Sequence, residues 1–430
     1  MESLLQNVKG TKDFMPGEEQ IRTKIRNILD EVFRNYGYGP LETPILCQYD
    51  LLASKYAGGS EILKEVYQLK DQGNRDLCLR YDLTVPFCKV IGINPTLQLP
   101  FKRYEIGKVF RDGPVKTGRL REFIQCDVDV VGVKGIIAEA ELMCLAFEVF
   151  KRLDMRVYIQ YNNRKLLTGL LEFTGIDNNL INEVIKTMDK INKIGEDAVK
   201  EELTLKGISR DTISRIFNLL NEDFSLSDFQ HSSNSSIREG IAEIKELQSY
   251  LSGLELMTKT QLNLFLARGL DIYTGTVFEV FLSDECIKSS IAGGGRYDKI
   301  IGKFLDSEQE YPAVGMSFGL DVIYTAMEMK NAAQQKSPID LFIIPIGTQI
   351  EALKLACCLR AKGIKVEIEL RNVKLKKSLD YANKQDIPYV IILGEDEMNK
   401  GSVKVKDMRK GIEEGIEIAR IERFNFGTDQ

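Results

Sequence analysis

The residues of this 430-residue chain that are best suited to chemistry are arginines, carboxylates and tyrosines placed beside strand-like runs. Arg111 and Arg119 lie in a loop between two such runs, which would bring both guanidinium groups towards one site. The planar guanidinium binds carboxylate or phosphate oxygens bidentately. Arg268 and Tyr273 stand close together before another such run. The single histidine, His231, excludes a metal site built from several histidines, so we expect chemistry that depends on positioning and charge stabilisation.

A second group of candidates lies on one predicted strand and in one glycine-rich stretch. Gln125 and Asp129 share a face of their strand because side chains alternate along it. A carboxylate inside a buried strand needs a partner, which favours a binding role over a purely structural one. The three glycines before Arg296 and Tyr297 would allow a ligand to approach the backbone closely. Taken alone, that stretch is explained equally well as a flexible turn.

Composition narrows the class of protein. A hydrophobic content of 43% and a charged content of 28% are typical of a globular chain. We expect no membrane span and no secretory signal, because no apolar run approaches ~18 residues and the N-terminus lacks a basic segment. The eight cysteines form no Cys-x-x-Cys pair, which fits a reducing cytosol and a cytoplasmic protein. The net charge of −5 is weak evidence against nucleic-acid binding, since local basic patches are enough.

Patterns along the chain predict two domains. Residues 21–33 read as an amphipathic helix, and residues 41–46 as a strand interrupted by Pro44. Several further strands without intervening helices predict an antiparallel sheet, with a helical insertion at about 163–248, in a first domain spanning 1–330. Residues 338–430 alternate between strand and helix, which predicts a small α/β domain that includes a helix at 411–420.

The motifs together resemble those of histidyl-tRNA synthetases. Arg-Gly-Leu-Asp-Ile-Tyr at 268–273 is similar to the histidine-specific signature of that family, and residues 110–125 resemble motif 2 of class II synthetases. The opening helix and the strand with Pro44 resemble motif 1, the dimerisation element. The resemblance implies ATP-dependent attachment of histidine to tRNA(His) through a histidyl-adenylate. It also implies a cytoplasmic homodimer that uses ATP and Mg2+, with an α+β catalytic domain and an α/β anticodon-binding domain.

The resemblance also implies a role for individual residues. Arg268 and Arg111 would be catalytic, stabilising charge on the α-phosphate and carboxylate. Asp129 stands where glutamate is usual and would accept a proton from the imidazole, while Ile272 replaces a family tyrosine. The implied histidine-binding residues are Asp82, Thr84, Gln125, Asp129, Tyr273, Tyr297 and Arg268. The implied ATP-binding residues are Arg111, Arg119 and Phe123. No metal ligand is expected from the protein.

One position departs from the family pattern. Motif 3 should carry an arginine that contacts ATP, and residues 314–323 have Val322 in its place. Losing hydrogen bonds to a charged group predicts roughly 10- to 100-fold weaker ATP activation unless Arg296 or Lys303 compensates. The alternative is a non-catalytic paralogue that binds histidine as a regulatory subunit of ATP phosphoribosyltransferase. The C-terminal α/β domain disfavours that alternative, because such subunits usually lack it.

Overall fold

A computed structural model describes residues 5–56, 61–115, 118–220, 225–267, 272–305, 307–330, 337–371 and 373–426. The chain divides into two compact units, 1–332 and 333–430. Each unit has its own hydrophobic core. Across the described residues, no helix is both long and apolar enough to cross a membrane.

The first unit contains an eight-stranded sheet and a small three-stranded sheet. Its strands are β1 Gly39–Pro40, β2 Leu46–Gln48, β3 Gln68–Lys70, β4 Asp76–Leu79, β5 Phe101–Phe110, β6 Glu122–Val131, β7 Val157–Asn163, β8 Thr260–Leu262, β9 Thr276–Leu282, β10 Ala292–Arg296 and β11 Ala313–Gly319. The large sheet has the order β1-β5-β6-β11-β10-β9-β7-β8, and the small one β2-β4-β3. All pairs from β5 to β7 in the large sheet are antiparallel, and only its two short edge strands pair in parallel. The predicted antiparallel, α+β character of this unit is confirmed.

Helices flank the large sheet and fill one long insertion. They are α1 Pro16–Asn35, α2 Tyr49–Tyr56, α3 Thr84–Ile93, α4 Ile137–Arg152, α5 Arg164–Phe173, α6 Asn178–Met188, α7 Ile191–Ile194, α8 Glu196–Leu205, α9 Arg210–Leu219, α10 Leu226–Phe229, α11 Ser235–Gly253, α12 Ile300–Phe304 and α13 Leu320–Met329. The run from α5 to α11 lies between strands β7 and β8. Side-chain caps start several of these helices, including Asn163 before α5 and Asn234 before α11.

The two faces of β6 have different environments, and this difference creates the site. Cys126, Val128 and Val130 point into the main core, which also contains buried side chains of α1, α4 and α13. Because side chains alternate along a strand, Gln125, Asp127 and Asp129 share the opposite face. All ten residues of β6 pair with β5, and seven of them also pair with β11, so these side chains stand on a fixed backbone.

The second unit is a five-stranded sheet with three helices. Its elements are β12 Leu341–Ile346, α14 Gln349–Ala361, β13 Val366–Ile368, α15 Leu375–Lys384, β14 Tyr389–Gly394, α16 Glu395–Lys400, β15 Ser402–Asp407 and β16 Ile412–Glu417. Strands β13, β12 and β14 are parallel, while β14, β15 and β16 are antiparallel. The predicted α/β class of this unit is confirmed.

Two predicted elements are wrong. Residues 411–420 form β16 followed by a 3-10 helix at Ile418–Arg423, because a turn with Gly411 at φ 68° folds this segment back along β15. Asp407 stabilises that turn by accepting hydrogen bonds from two backbone N–H groups. The segment 41–46 is not one strand either. The N–H of Thr43 donates to the carboxylate of Glu105 instead of to a neighbouring strand.

Candidate active site

A cavity of about 160 Å³ opens on the polar face of the large sheet. Seven of the residues singled out from the sequence line it: Asp82, Thr84, Arg111, Gln125, Asp129, Tyr273 and Tyr297. Its remaining lining comes from Tyr81, Asp127, Ile272, Gly293, Gly294, Gly295, Gly315, Met316 and Ser317. The strand face and the loops that sequence reasoning proposed separately therefore meet in one pocket.

Glycines give Asp129 the space it occupies. A Cβ on Gly315 would lie 1.8 Å from Oδ1 of Asp129, so the carboxylate lies directly over β11 where that strand carries no side chain. Tyr297 donates its hydroxyl proton to the same Oδ1 at 2.5 Å. Gly294 is equally constrained, because its Cβ would lie 1.9 Å from the carbonyl oxygen of Gly315. The glycines of β10 and β11 thus form a wall on which a buried carboxylate and a small ligand fit.

Arg103, on β5, supplies the charge behind this carboxylate. Its side chain is fully buried, lies 4.4 Å from the ring centroid of Phe87, and donates to the carbonyl oxygen of Leu83 at 3.1 Å. Nη2 approaches Oδ2 of Asp129 at 2.8 Å, and Nη1 lies 3.8 Å from Glu105. Despite this ion pair, Nε and Nη1 of Arg103 and Oδ2 of Asp129 have no hydrogen-bond partner among the described residues. Arg103 does not line the cavity, so it acts on the pocket through its ion pair with Asp129.

Asp127 is a third pocket carboxylate, beside Asp82 and Asp129, and sequence reasoning did not select it. It is 3% exposed and accepts a hydrogen bond from Ser317 of β11, its directly paired neighbour. Gln125 donates to the Ser317 hydroxyl at 2.7 Å, and its carbonyl oxygen accepts from Arg111 at 3.2 Å. This chain of hydrogen bonds fixes the orientation of the Gln125 amide. The signal was present in the sequence, since Asp127 has the same strand parity as Gln125 and Asp129.

Burial dominates the electrostatics of the carboxylate pair. Removal from water raises the pKa of Asp127 to about 7, opposed by the positive charge of Arg103 and reinforced by the negative charge of Asp129. Burial also raises the pKa of Asp129, again against the effect of Arg103. The pKa of Tyr297 is raised well above its ordinary value, first by burial and then by Asp129, so this tyrosine stays a hydrogen-bond donor. Two neighbouring carboxylates and a single buried arginine therefore hold a proton near neutral pH.

Arg111 is held at the mouth of the pocket between two aromatic rings. Its guanidinium carbon lies 4.3 Å from the ring centroid of Tyr81 and 5.1 Å from that of Phe123. Nε donates to the backbone carbonyl of Tyr81 at 3.1 Å. Cation–π contacts and a fixed fork leave the guanidinium ordered before any ligand arrives. This arrangement suits recognition of a carboxylate or a phosphate.

The other predicted residues do not line the cavity. Arg119 lies in the loop between β5 and β6, half-exposed, with Nη2 4.0 Å from the carboxylate of Glu65. Phe123 contacts Arg111 but lies outside the lining. Arg268 lies outside the described residues, so its predicted role stays a prediction.

The position of the missing motif 3 arginine lies beside the motif 2 loop. Val322 is half-buried on α13, and its Cα lies 3.6 Å from where a Cβ on Gly118 would be. The suggestion that Arg296 compensates is wrong. Arg296 is 4% exposed. It donates hydrogen bonds to both carboxylate oxygens of Glu139 and to the carbonyls of Val133 and Gly135, so its guanidinium is already occupied. Lys303 is exposed on α12 and is not part of the cavity lining, so the structure gives it no contact with this site.

Comparison with known proteins identifies the family. The family model described as Histidyl-tRNA synthetase matches residues 10–323, and the model described as Anticodon binding domain matches residues 340–424. The chain belongs to the histidyl-tRNA synthetase family. It is 51% identical to Histidine--tRNA ligase 1 of Bacillus cereus over 424 residues, covering 98% of this chain and 99% of that protein. It is 50% identical to Histidine--tRNA ligase 2 of Shouchella clausii over 415 residues, covering 96% and 98%.

Solved structures agree with the family assignment. The histidyl-tRNA synthetase of Nostoc sp. PCC 7120 superposes with a TM-score of 0.84 at 28% identity, covering 97% of this chain and 98% of that one. A Bacillus halodurans protein described as an ATP phosphoribosyltransferase regulatory subunit/histidyl-tRNA synthetase has a TM-score of 0.75 at 20% identity, over 91% and 98% of the two chains. At that identity the likeness shows the fold alone. The resemblance of the motifs to histidyl-tRNA synthetases is therefore confirmed.

Proposed function

We propose that this protein is a histidine–tRNA ligase that uses ATP to form histidyl-adenylate and then transfers histidine to tRNA(His). The observation that carries the proposal is the pocket in which Asp82, Thr84, Gln125, Asp129 and Tyr297 converge below Arg111. Curated relatives with 50–51% identity over almost the whole chain are named histidine–tRNA ligases. The pocket thus offers acceptors for an ammonium group and an imidazole, and a cation for a carboxylate.

In the first step of the proposed reaction, the pocket orients histidine for attack on the α-phosphate of ATP. Asp82 and Thr84 bind the α-ammonium group, with a carboxylate and a hydroxyl as acceptors. Asp129 and Tyr297, already joined by a hydrogen bond, bind the imidazole together with Tyr273. Arg111 and Arg268 neutralise the charge that builds on the substrate carboxylate and α-phosphate. The carboxylate oxygen then displaces pyrophosphate, and a terminal ribose hydroxyl of the tRNA later displaces AMP.

ATP would lie beside the pocket, along the loop between β5 and β6. Phe123 and Arg119 are the residues that we assign to adenine and to the phosphates. Mg2+ would neutralise phosphate charge in this reaction. The described residues contain no group of three or more His, Cys, Asp and Glu side chains that could hold a metal ion. The ion would therefore be bound mainly by ATP phosphates and water, as is usual for Mg2+.

The assembly and location proposed for this enzyme are a homodimer in the cytoplasm. Apolar side chains remain exposed in the segment that resembles motif 1, where Ile45 is 41% and Leu46 is 55% exposed. All eight cysteines are free thiols, which suits a reducing compartment. Light scattering after size-exclusion chromatography tests the dimer. A single species of 48.7 kDa would refute it.

The test of the proposed function is histidine-dependent exchange of pyrophosphate into ATP, followed by charging of tRNA(His). Arg111→Ala should lower the exchange rate at least about 100-fold, because two or more hydrogen bonds to a charged group are lost. Arg152→Ala is the matched control, since this arginine of α4 forms surface ion pairs with Glu31 of α1 and Glu148 of α4 and does not line the pocket. Exchange that is absent with histidine, or equal with other amino acids, would refute the proposal.

The regulatory-subunit alternative is not favoured. The chain carries a C-terminal anticodon-binding match at 340–424, and its pocket retains Arg111 in a preordered position. Histidine binding without any pyrophosphate exchange is the result that would revive this alternative.

A further inference from the structure

Gln125, Ser317 and Asp127 form a chain of hydrogen bonds that begins at Arg111. Nη2 of Arg111 donates to Oε1 of Gln125 at 3.2 Å, and Nε2 of Gln125 donates to the hydroxyl of Ser317 at 2.7 Å. The Ser317 hydroxyl donates in turn to the carboxylate of Asp127. Nε2 of Gln125 also lies 3.5 Å from Oδ1 of Asp127. The chain therefore runs from a cation at one end to a carboxyl group at the other.

Only one direction of donation is consistent with the groups at the two ends. An arginine guanidinium has donors and no acceptor, so the oxygen of the Gln125 amide must face Arg111. The amide nitrogen then faces Ser317, whose single hydroxyl proton is left for Asp127. Asp127 can accept it in either protonation state, because a protonated carboxyl group keeps an acceptor oxygen. The orientation of the Gln125 amide thus follows from the chemistry of its neighbours.

The large sheet holds the members of this chain in place. Ser317 on β11 is paired directly with Asp127 on β6, and Gln125 lies two residues before Asp127 on the same face. Gln125 is itself paired with Gly319, which has no side chain, so its amide can reach across towards Ser317. Gly293, the partner of Ser317 on β10, has no side chain either. The backbone pairing therefore brings the Ser317 hydroxyl between the other two side chains.

The oriented amide meets the amino-acid end of histidine, if the proposed function is correct. Arg111 is the cation that we assign to the substrate carboxylate, and its Nη2 lies 3.2 Å from Oε1 of Gln125. The α-ammonium group is attached to the same carbon as that carboxylate, so it comes close to Gln125. An ammonium group has only donors, so an amide oxygen attracts it and an amide nitrogen in the same place repels it. Turning the amide over would therefore weaken histidine binding.

We infer that Ser317 and Asp127 are positioning residues, which act through Gln125 to present an acceptor to the α-ammonium group of the substrate. Hydrogen bonds that run in one direction from a cation to a carboxylate polarise one another, which strengthens each of them inside a protein. Without the Ser317 hydroxyl, the amide nitrogen of Gln125 loses the closer of its two acceptors. Other orientations of the Gln125 side chain then become populated.

The test is the KM for histidine in pyrophosphate exchange, measured with the full-length protein. Ser317→Ala should raise this KM about tenfold, as expected for one lost hydrogen bond to a charged group, while the KM for ATP stays within about twofold. Ser317→Thr keeps the hydroxyl, and its methyl group meets no side chain on Gly293, so its KM should stay within about twofold of that of the unmodified protein.

The matched control for these variants is Ser249→Ala, which removes an exposed hydroxyl of α11 that donates to the carbonyl of Glu246. Ser249 does not line the pocket, so neither KM should change. An unchanged KM for histidine in Ser317→Ala, or an equal rise in Ser317→Thr, would overturn the role of the hydroxyl.

A double-mutant cycle separates positioning through Gln125 from a general effect on the pocket. Gln125→Ala alone should raise the KM for histidine about tenfold or more. Adding Ser317→Ala to it should change that KM less than about twofold, because the group that Ser317 positions is already absent. A further tenfold rise in the double variant would show that Ser317 acts by another route, and would overturn the inference.

A second comparison tests Asp127. Asp127→Asn and Asp127→Ala both remove the charge, but asparagine keeps an oxygen that can accept from Ser317. The KM for histidine should therefore be about fivefold or more higher in the alanine variant than in the asparagine variant. Equal values would overturn the role of Asp127. Absence of histidine-dependent exchange in the unmodified protein would instead refute the proposed function, so the two failures are distinct.

Discussion

Replacing Asp127 by asparagine should stabilise the folded protein at high pH, although Asp127 lines the substrate pocket. The pKa of this carboxylate is raised from 3.8 to about 7, so the folded state retains its proton between about pH 4 and pH 7 while the unfolded state has lost it. Stability therefore falls as pH rises through that window. Each pH unit corresponds to about 1.4 kcal/mol, so the cost at pH 8 is about 4 kcal/mol. Asparagine is isosteric and carries no charge, and we expect it to recover about 2–4 kcal/mol at pH 8.

The assay is urea unfolding of the full chain at pH 4.5 and pH 8. Unfolding is monitored by circular dichroism, because the chain contains no tryptophan that could serve as a fluorescence signal. The second unit is identical in both proteins, so its contribution cancels in the difference between them. At pH 4.5, close to the ordinary pKa of 3.8, the difference between the two proteins should shrink to about 1 kcal/mol, because the folded state keeps the Asp127 proton and the unfolded state has only begun to lose it. Glu239→Gln, at an exposed pair on α11, is the control and should change neither midpoint. An equal gain at both pH values, or a loss at pH 8, would refute the reasoning.

Three further substitutions test other parts of the site. Gly315→Ala places a Cβ 1.8 Å from Oδ1 of Asp129, so the KM for histidine should rise at least about tenfold while circular dichroism stays native; an unchanged KM would contradict the packing. Asp321→Ala breaks the buried ion pair with Arg22, so the free energy of unfolding should fall by about 3–5 kcal/mol in urea, and a loss below 1 kcal/mol would contradict this. Val322→Arg restores the cation that the family has in motif 3. In the exchange assay the KM for ATP should then fall about tenfold or more, while the KM for histidine stays unchanged. An unchanged KM for ATP would mean that another cation already makes the contact.

The parts of the site that sequence reasoning predicted are those governed by local rules. Strand parity placed Gln125 and Asp129 on one face, and β6 confirms that face. The glycines before Tyr297 were recognised as a possible ligand wall, and they line the cavity. The prediction of a helix at 411–420 was wrong because the structure there depends on a distant strand. The glutamates of this segment favour a helix, but pairing with β15 makes it a strand. Local propensity contains no information about whether a partner strand lies alongside.

Arg103 could not have been predicted, because its significance depends on neighbours that are distant in sequence. In the sequence it is one basic residue in a strand that also contains Lys102 and Lys108. In the fold it is fully buried, and its charge is opposed by Asp129, 26 positions away. Such a burial is tolerated only with a charged partner. The same ion pair explains how β6 can bury both Asp127 and Asp129. Without a nearby cation, two carboxylates on one buried strand would be unfavourable.

The network beside Arg103 connects the motif 1 segment with the residues that we assign to the α-ammonium group. Arg80 donates to Glu105 and to the carbonyl of Thr43, both at 2.7 Å, and to the carbonyl of Lys108 at 2.7 Å. Gly107 is required there, because a Cβ would lie 2.2 Å from Nη2 of Arg80. Arg80 therefore fixes the chain two residues before Asp82, while also holding the segment that contains Pro44. The buried guanidinium of Arg80 thus helps to fix the positions of both the proposed dimer segment and a substrate-binding carboxylate. A shift of the dimer segment is therefore expected to move Asp82 as well.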